Sequence, residues 1–321
     1  MFSAVTFLFS AYYLLRSHID LVYERGKVYG GFGTLAAWLF HVRSIYEINE
    51  PYFDIPALLG TTSARSLFTR TATIWHHFVV EKATLVTVTS TTLITKGVAP
   101  KEKTLVIHTG VDTRSFLPRK ETALRRKYGL EKKFVVLYNG SFSLWHACDV
   151  ILKTAHEITK MDTAVSFVLV GEGPEYERCK QLAEQLQLGN RVLFTGKVSH
   201  HDVERYVAAA DACLAIFDRT YPPFKKYSFF YYPVKLNEYK SCGKPIIASD
   251  FGNLKRLIVP KRNGLLVNEQ DIRSVMRAIF TLQKDKVLCK RIADYNRKEA
   301  VQRYDWVIVN ESILSAAMAK R

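Results

Sequence analysis

The chain has 321 residues, of which 48% are hydrophobic and 24% are charged, a composition typical of a folded globular protein that excludes a disordered one. Its formal net charge of +16 at pH 7 favours anionic partners, which include nucleic acid, acidic lipid and phosphorylated substrates. The five cysteines are dispersed and form no C-x-x-C pair, so zinc and redox motifs are not predicted and a reducing cytosol is favoured.

The first 15 residues, MFSAVTFLFSAYYLL, are almost entirely apolar. The stretch is too short for a membrane-spanning helix and contains no small-residue cleavage site. Two interpretations stay open at this point: a helix that packs on a sheet, or a helix that lies on a membrane surface.

Apolar strand-like runs alternate with helical segments along the chain, and this pattern predicts parallel sheets with helices on their faces. The first series of runs is IDLVYE, SIYEI, LVTVTS and LVIHTG. The second series is FVVLYNG, VSFVLVGEG, RVLFTG, ACLAIF, KPIIASD and NGLLV. A charged segment that contains Pro118 separates the two series. We therefore predict two doubly wound α/β domains, over residues 1–118 and 119–321.

The first predicted domain is small. It has four strand runs where a doubly wound domain usually has about five or six, and it opens on a helix instead of a strand and a glycine-rich turn. We therefore expect this domain to be incomplete and to expose a sheet edge, and we expect the chain alone to be a poor enzyme.

Ligands of open parallel sheets bind at the carboxyl ends of the strands, so strand-to-helix turns are candidate sites. In VVLYNGSFSLWHACD, Gly140 lets the backbone approach a ligand, the following amides could hold phosphate oxygens, and His146 could add a donor. The same stretch could also be an ordinary turn. In LVGEGPEYERC, Glu172 could touch a ligand or cap a helix, and in FTGKVSHHDV, Val198 could flank a flat base.

The stretch PVKLNEYKSCGKPIIASD puts a short polar segment directly before a buried strand. If KLNEYKSC is helical, Lys235 and Glu238 lie three residues apart on one face. Glu238 could then accept hydrogen bonds from two ribose hydroxyls, and Lys235 could neutralise a diphosphate. An ordinary surface ion pair has the same spacing, so the pattern alone leaves both interpretations open.

Residues 219–235, RTYPPFKKYSFFYYPVK, are both basic and aromatic. Three functions fit this composition: a loop beside a sugar donor, a patch that lies on a membrane, and a groove for single-stranded nucleic acid. The neighbouring motifs favour the donor loop, and we predict no nucleic-acid partner.

Several of these motifs follow the order and spacing found in retaining glycosyltransferases of family 4, which the chain resembles from about residue 20 onward. The matching stretches are IHTGVDTRSFLP, NGSFSLWHACDVILKTA, FVLVGEGPEYERCKQLAEQLQLGNRVLFTGKV, YYPVKLNEYKSCGKPIIASD and NGLLV. The chain looks most like bacterial members with a Trp-His-Gly turn, and VYERGKVYGGFG and YEINEP fit the same subgroup. Here the turn ends in Ala147, and Phe230 replaces the first glutamate of the family's E-x7-E motif.

The resemblance implies the GT-B architecture, in which two Rossmann-like domains face a cleft. It also implies transfer of a sugar from a nucleotide-diphosphate donor to a glycan or lipid-linked acceptor, with retention of configuration. The second domain would bind the donor and the first the acceptor, and neither a metal ion nor a cofactor is implied. By motif order, the opening strand, glycine-rich turn and helix of the family's first domain are absent.

The resemblance also assigns site residues. It places Glu238 on the donor ribose and Lys235 near the diphosphate, and Asn49 stands where many members carry a first-domain histidine, so these three are the predicted catalytic residues. The other predicted donor-binding residues are Gly140, Ser141, His146, Glu172, Val198 and Leu236.

The alternative function is a donor-binding relic, or a subunit that lacks its acceptor half and has impaired catalysis. The net charge, the apolar first 15 residues and the basic, aromatic segment 219–235 together predict a cytoplasmic protein that can lie on the inner face of the membrane. Its membrane partner would be anionic lipid.

Overall fold

The computed structural model describes residues 2–54, 58, 67–162 and 164–320. The chain forms two compact units. The first contains Met1–His108, Thr220–Tyr232 and Val307–Arg321, and the second contains Thr109–Arg219 and Pro233–Trp306. The chain passes from one unit to the other after residues 108, 219, 232 and 306. The domain bounds that we predicted, 1–118 and 119–321, stay a prediction. The acceptor and donor roles of the two predicted domains stay predictions.

The first unit is built on a parallel sheet of four strands in the order β1-β2-β3-β4. The strands are Leu21–Arg25 (β1), Arg43–Ile48 (β2), Leu85–Val88 (β3) and Thr104–Val106 (β4). Among the described residues before residue 108, the structure forms the helices Phe2–Arg16 (α1), Phe32–Leu39 (α2), Leu67–Lys82 (α3) and Thr91–Thr95 (α4).

The second unit is built on a parallel sheet of six strands. They are Phe134–Asn139 (β5), Val165–Val170 (β6), Val192–Gly196 (β7), Ala212–Ala215 (β8), Ile246–Ser249 (β9) and Gly264–Val267 (β10). The helices that follow residue 108 are Thr122–Lys127 (α5), Cys148–Met161 (α6), Tyr176–Gln185 (α7), His200–Ala209 (α8), Pro222–Tyr227 (α9), Val234–Ser241 (α10), Leu254–Leu257 (α11), Ile272–Lys284 (α12), Lys286–Glu299 (α13) and Trp306–Met318 (α14). Each of the ten predicted strand runs overlaps one of these strands, which confirms the predicted α/β class with parallel sheets.

The core of the second unit explains why its strands are continuous apolar runs. Every residue of β5 and β6 is buried, because helices cover both faces of a parallel sheet. Side chains of these strands pack with Ile151 of α6, Leu214 of β8 and Ile279 of α12 in one cluster.

The strand order of the second sheet, β10-β9-β8-β5-β6-β7, reverses between β8 and β5. The chain builds outward from β5 to β7 and then returns to the other side of β5 to continue with β8. A reversal of this kind leaves a crevice at the carboxyl ends of the two adjoining strands, where ligands of such sheets bind. The ends of β5, at Asn139, and of β8, at Ala215, therefore mark the expected ligand position.

Two turns at this edge touch through their glycines. Gly171 has a φ of +127°, and a Cβ there would lie 2.0 Å from the carbonyl oxygen of Gly140. The backbone N–H of Phe142 donates a hydrogen bond of 3.0 Å to the carbonyl of Glu172. The turn after β5 is therefore fixed in place by the turn after β6.

The basic, aromatic segment belongs to the first unit over Thr220–Tyr232. Tyr231 donates a hydrogen bond of 2.6 Å from its hydroxyl to Glu50, and Asp54 accepts hydrogen bonds from Lys226 and from the Tyr227 hydroxyl. Most of the aromatic side chains of the segment are buried, namely Phe224, Tyr227, Phe229, Phe230 and Tyr232. The segment therefore presents no large aromatic surface for a membrane, and its predicted role beside the sugar donor stays a prediction.

Candidate functional site

Lys235 is the centre of the site in the second unit. It lies in the first turn of α10, two residues after Pro233, and its side chain is buried. The ammonium lies 4.4 Å from the ring centre of Tyr138 and 5.5 Å from that of Phe217. Within the described residues, Lys235 Nζ has no hydrogen-bond partner. A cation held against aromatic faces in this way is available to an anionic ligand.

The absence of a side chain at Gly140 leaves space for the Lys235 ammonium. Gly140 has a φ of +143°, and a Cβ at this position would lie 2.7 Å from Lys235 Nζ. Any side chain here would displace the lysine from the end of β5. The structure thus brings together two residues that the sequence predicted for one site.

Glu238 lies one turn further along α10 and is also buried. Its carboxylate accepts a hydrogen bond of 3.2 Å from the Asn139 side-chain amide. Burial raises the pKa of Glu238, and the Asn139 hydrogen bond, His200 and Lys235 act in the opposite direction. Burial likewise lowers the pKa of Lys235 to about 7, although the Glu238 carboxylate opposes the shift. Because both side chains are buried, they do not form the exposed surface ion pair that their spacing also allowed.

His146 completes this cluster. Its ring centre lies 5.2 Å from that of Phe217 and 5.9 Å from that of Tyr138. Burial, together with the neighbouring Lys235, holds the pKa of His146 well below its ordinary value. The imidazole is therefore neutral at pH 7 and acts through hydrogen bonds, not through charge.

Three buried polar atoms of the site have no hydrogen-bond partner within the part of the chain that the structure describes: Lys235 Nζ, His146 Nδ1 and Asn139 Oδ1. A buried polar group without a partner costs about 1–3 kcal/mol, so such groups normally meet a ligand or water. The set combines a cation, an imidazole nitrogen and an amide oxygen. It suits a ligand that carries both anionic oxygens and hydroxyl groups.

Two other predicted residues lie near these turns. The carbonyl of Ser141 accepts a hydrogen bond of 2.6 Å from the Tyr138 hydroxyl, which holds the turn after β5. Glu172 is exposed, and its carboxylate lies 3.2 Å from Lys197 Nζ. A contact of either residue with a ligand stays a prediction.

Val198 and Leu236 differ from the rest of the predicted set. Val198 lines a cavity of about 410 Å³ together with Leu124 and Tyr206. Leu236 is fully buried on α10, so its side chain packs in the protein interior. Gly140, His146, Lys235 and Glu238 therefore lie close together in the structure. The side chains of Val198 and Leu236 are not part of this cluster.

Asn49 lies in the first unit, at the carboxyl end of β2. Its side-chain amide donates a hydrogen bond of 2.5 Å to Glu47, which also accepts one of 2.6 Å from the Tyr23 hydroxyl. Because a carboxylate only accepts, the Asn49 oxygen points away from Glu47, and it is buried without a partner among the described residues. Its catalytic role stays a prediction.

The first unit also has a candidate anion site, the glycine-rich turn between β1 and α2, but a carboxylate of the protein itself already occupies it. The Glu24 carboxylate accepts hydrogen bonds of 2.7 Å from the backbone N–H of Gly31 and 2.8 Å from that of Thr34. The amides at the start of α2 therefore already hold an anion, and we assign no ligand to them.

Sequence reasoning missed the aromatic walls Tyr138 and Phe217 and the amide of Asn139. Tyr138 and Asn139 end a strand whose apolar run suggests only core packing, and Phe217 follows β8 by two residues. The sheet order is the signal that could have found them, because it places the ends of β5 and β8 side by side.

Ala147, where the resembled subgroup has glycine, adopts a left-handed conformation with φ 40° and ψ 41°. This conformation costs a residue with a Cβ about 1–2 kcal/mol, whereas the extra chain entropy of glycine costs about 0.5–1 kcal/mol. We expect Ala147→Gly to stabilise the protein by up to about 1 kcal/mol in urea unfolding. Ala155→Gly, inside α6, is the control and should destabilise it. A loss of stability in both variants would contradict the expectation.

Two curated proteins are similar to part of the chain. The N-acetyl-alpha-D-glucosaminyl L-malate synthase of Bacillus anthracis is 27% identical over 232 residues, which make up 71% of this chain and 57% of that protein. The alpha-D-kanosaminyltransferase of Streptomyces kanamyceticus is 24% identical over 171 residues, or 53% of this chain and 42% of that protein. The matched part of the chain thus spans about half the length of these curated relatives.

A solved structure matches almost the whole chain. The crystal structure of Anabaena HepE in complex with UDP and glucose superposes with a TM-score of 0.75 over 97% of this chain and 81% of that one, at 21% identity. This likeness shows the predicted GT-B-like α/β fold.

A family model described as "Glycosyl transferases group 1" matches residues 120–299. The match covers more than half of the 321 residues and includes the cluster around Lys235. The chain therefore belongs to the glycosyl transferases group 1 family.

Proposed function

We propose that this protein is a retaining glycosyltransferase that moves a sugar from a nucleotide-diphosphate donor to a glycan or lipid-linked acceptor. The observation that carries the proposal is the buried Lys235 ammonium, which has no hydrogen-bond partner in the described part of the chain and lies beside Gly140 at the reversal of the strand order. The glycosyl transferases group 1 match over the same residues supports it.

In this proposal, the second unit binds the donor. Lys235 and the turn at Gly140 hold the diphosphate, His146 adds a hydrogen bond, and Glu238 accepts hydrogen bonds from the ribose hydroxyls. The base lies near Val198. The left-handed conformation of Ala147 supports the further proposal that the chain belongs to the subgroup with a glycine at the end of this turn.

The chemistry asked of Lys235 is electrostatic. Transfer breaks the bond between the anomeric carbon of the sugar and a diphosphate oxygen. The acceptor hydroxyl oxygen forms its new bond to that carbon on the same face, and its proton passes to the leaving diphosphate. Negative charge grows on the leaving diphosphate, and a positioned cation in a buried site stabilises it more than water does. We propose that Lys235 supplies this charge in place of a metal ion.

UDP is the first ligand to test, because HepE, which shares the fold, has been solved with UDP-glucose. We expect Glu238→Ala to weaken UDP binding by roughly 1–3 kcal/mol, the scale of a hydrogen bond to a charged group. Isothermal titration calorimetry measures the change, with Glu177→Ala on the exposed side of α7 as the matched control. Equal affinities for the wild type and Glu238→Ala would remove Glu238 from the site.

A turnover assay separates enzyme from relic. Release of UDP from UDP-glucose in the presence of glycan acceptors supports the transferase. If the protein binds UDP but releases none from UDP-glucose with any of the acceptors, the donor-binding relic is favoured instead.

A further inference from the structure

Large apolar side chains are exposed on three neighbouring helices of the first unit. Within the described residues, α1, α2 and α3 carry twelve of the 25 exposed large apolar side chains. We call their outer surface the apolar helix face. Its main members are Leu8, Phe9 and Leu15 on α1, Trp38 on α2, and Ile74 and Phe78 on α3.

Helix α1 is apolar on both of its sides. Phe7, Ala11 and Leu14 follow the helical period and are partly covered, whereas Leu8 and Phe9 lie on the exposed side. An amphipathic surface helix would carry polar residues on that exposed side. The exposed side of α1 therefore requires an explanation beyond the packing of the first unit.

The three helices pack side by side. α2 contacts both α1 and α3. At one end of the α2–α3 contact the rings of Phe32 and Trp75 lie 4.9 Å apart, and at the other end Lys82 Nζ lies 4.9 Å from the ring centre of Trp38 and 5.6 Å from that of Phe78.

The charges on this surface have one predominant sign. α1 and α2 contain no acidic residue, and α3 contains only Glu81, against the cations Arg16, Arg70 and Lys82. Arg16 lies 4.9 Å from the ring centre of the exposed Tyr12, so cations border aromatic side chains at both α1 and α3. Exposed apolar side chains edged by aromatic rings and cations suit the boundary between acyl chains and anionic headgroups.

We propose that the apolar helix face is a binding surface for an anionic lipid bilayer. It does not include the segment 219–235, most of whose aromatic side chains are buried in the first unit. None of the described helices has the length and apolar character needed to cross a bilayer, so α1 lies along the surface. The inference is independent of the sugar transfer proposed above.

Flotation of the full chain with lipid vesicles tests the inference. At low salt we expect the protein to float with vesicles of phosphatidylcholine and phosphatidylglycerol, and much less with phosphatidylcholine alone. A variant with Leu8→Ser, Phe9→Ser and Leu15→Ser should bind at least tenfold more weakly. Arg70→Glu, which reverses an exposed cation of α3, should lose about tenfold on the anionic vesicles only.

The matched control changes apolar side chains of similar exposure in the second unit. Met161 and Val287 are 71% and 79% exposed, against 62–71% for Leu8, Phe9 and Leu15, so Met161→Ser with Val287→Ser should float like the wild type. Circular dichroism and UDP calorimetry on the same variants show whether each one is folded. They also keep this inference separate from the donor site.

Three results would overturn the inference. The wild type could remain in the soluble fraction with anionic vesicles at low salt, or the control variant could lose as much binding as the α1 variant. The third is a concentration-dependent dimer in sedimentation without lipid that the α1 variant abolishes, because it would assign the face to a second copy of the chain.

Discussion

Binding of UDP at pH 8 is expected to take up close to one proton from solution. Burial lowers the pKa of Lys235 to about 7, so most of the empty protein carries a neutral amine at this pH. A diphosphate beside the amine favours the charged ammonium and therefore raises its pKa on binding. The proton comes from the buffer, so the observed binding enthalpy should change with the ionisation enthalpy of the buffer.

The affinity for UDP should consequently fall as the pH rises above 7, by up to tenfold for each pH unit. Lys235→Met should lower the affinity at pH 7 by about 10–100-fold, since a hydrogen bond to a charged group contributes about 1.5–3 kcal/mol, and it should abolish the proton uptake. Calorimetry in two buffers measures both effects. The exposed Lys153→Met is the control.

Proton uptake of full size in Lys235→Met would contradict this assignment and would point to His146 as the group that gains the proton. UDP binding with no proton uptake at all would show that Lys235 keeps one charge state throughout. In that case UDP would still bind at the proposed site, but its binding would not be coupled to protonation of Lys235.

Lys240→Met is expected to destabilise the protein by about 3–5 kcal/mol. Lys240 Nζ lies 2.8 Å from the Glu299 carboxylate, and the two side chains are only 1% and 9% exposed. Tyr295 donates a second hydrogen bond, of 3.1 Å, to Glu299. Removing the lysine leaves a buried carboxylate without its cation, and breaking such pairs has this cost. The pair joins α10, the helix of Lys235, to α13.

Urea unfolding measures this loss of stability. The control is Lys180→Met, whose exposed partner Glu177 lies 3.7 Å away and whose loss should change the stability by no more than about 0.5 kcal/mol. A double variant, Lys240→Met with Glu299→Gln, should recover part of the stability because no buried charge remains. A stability of Lys240→Met within 1 kcal/mol of the wild type would contradict the prediction.

Most of the strands could be predicted because they lie in short apolar runs that are followed by glycine or a polar residue. β5 and β6 are buried at every residue, so their composition alone identifies them. The bounds of the compact units could not be predicted, since Thr220–Tyr232 joins the first unit through Glu50 and Asp54, which are about 170 residues earlier in the chain.

The candidate site was predicted in part. The spacing of Lys235 and Glu238, and the turn with Gly140 and His146, pointed to four residues that the structure brings together. The polar sequence VKLNEYKS, however, is typical of an exposed helix. In the structure seven of its eight residues are buried. This burial shifts the pKa of Lys235, and the aromatic side chains Tyr138, in β5, and Phe217, two residues after β8, contribute to it.

The discontinuous first unit has a consequence for how the protein is made. Val309, Ile313 and Ala317 of α14 pack against Ile45 and Leu85 of the first sheet. A ribosome synthesises the sheet before α14, which begins 200 residues after the end of β4, so these core side chains stay uncovered while the second unit is translated. The nascent chain therefore carries an unfinished, aggregation-prone sheet while the second unit is synthesised, and binding of a chaperone to residues 21–106 would protect it until α14 docks.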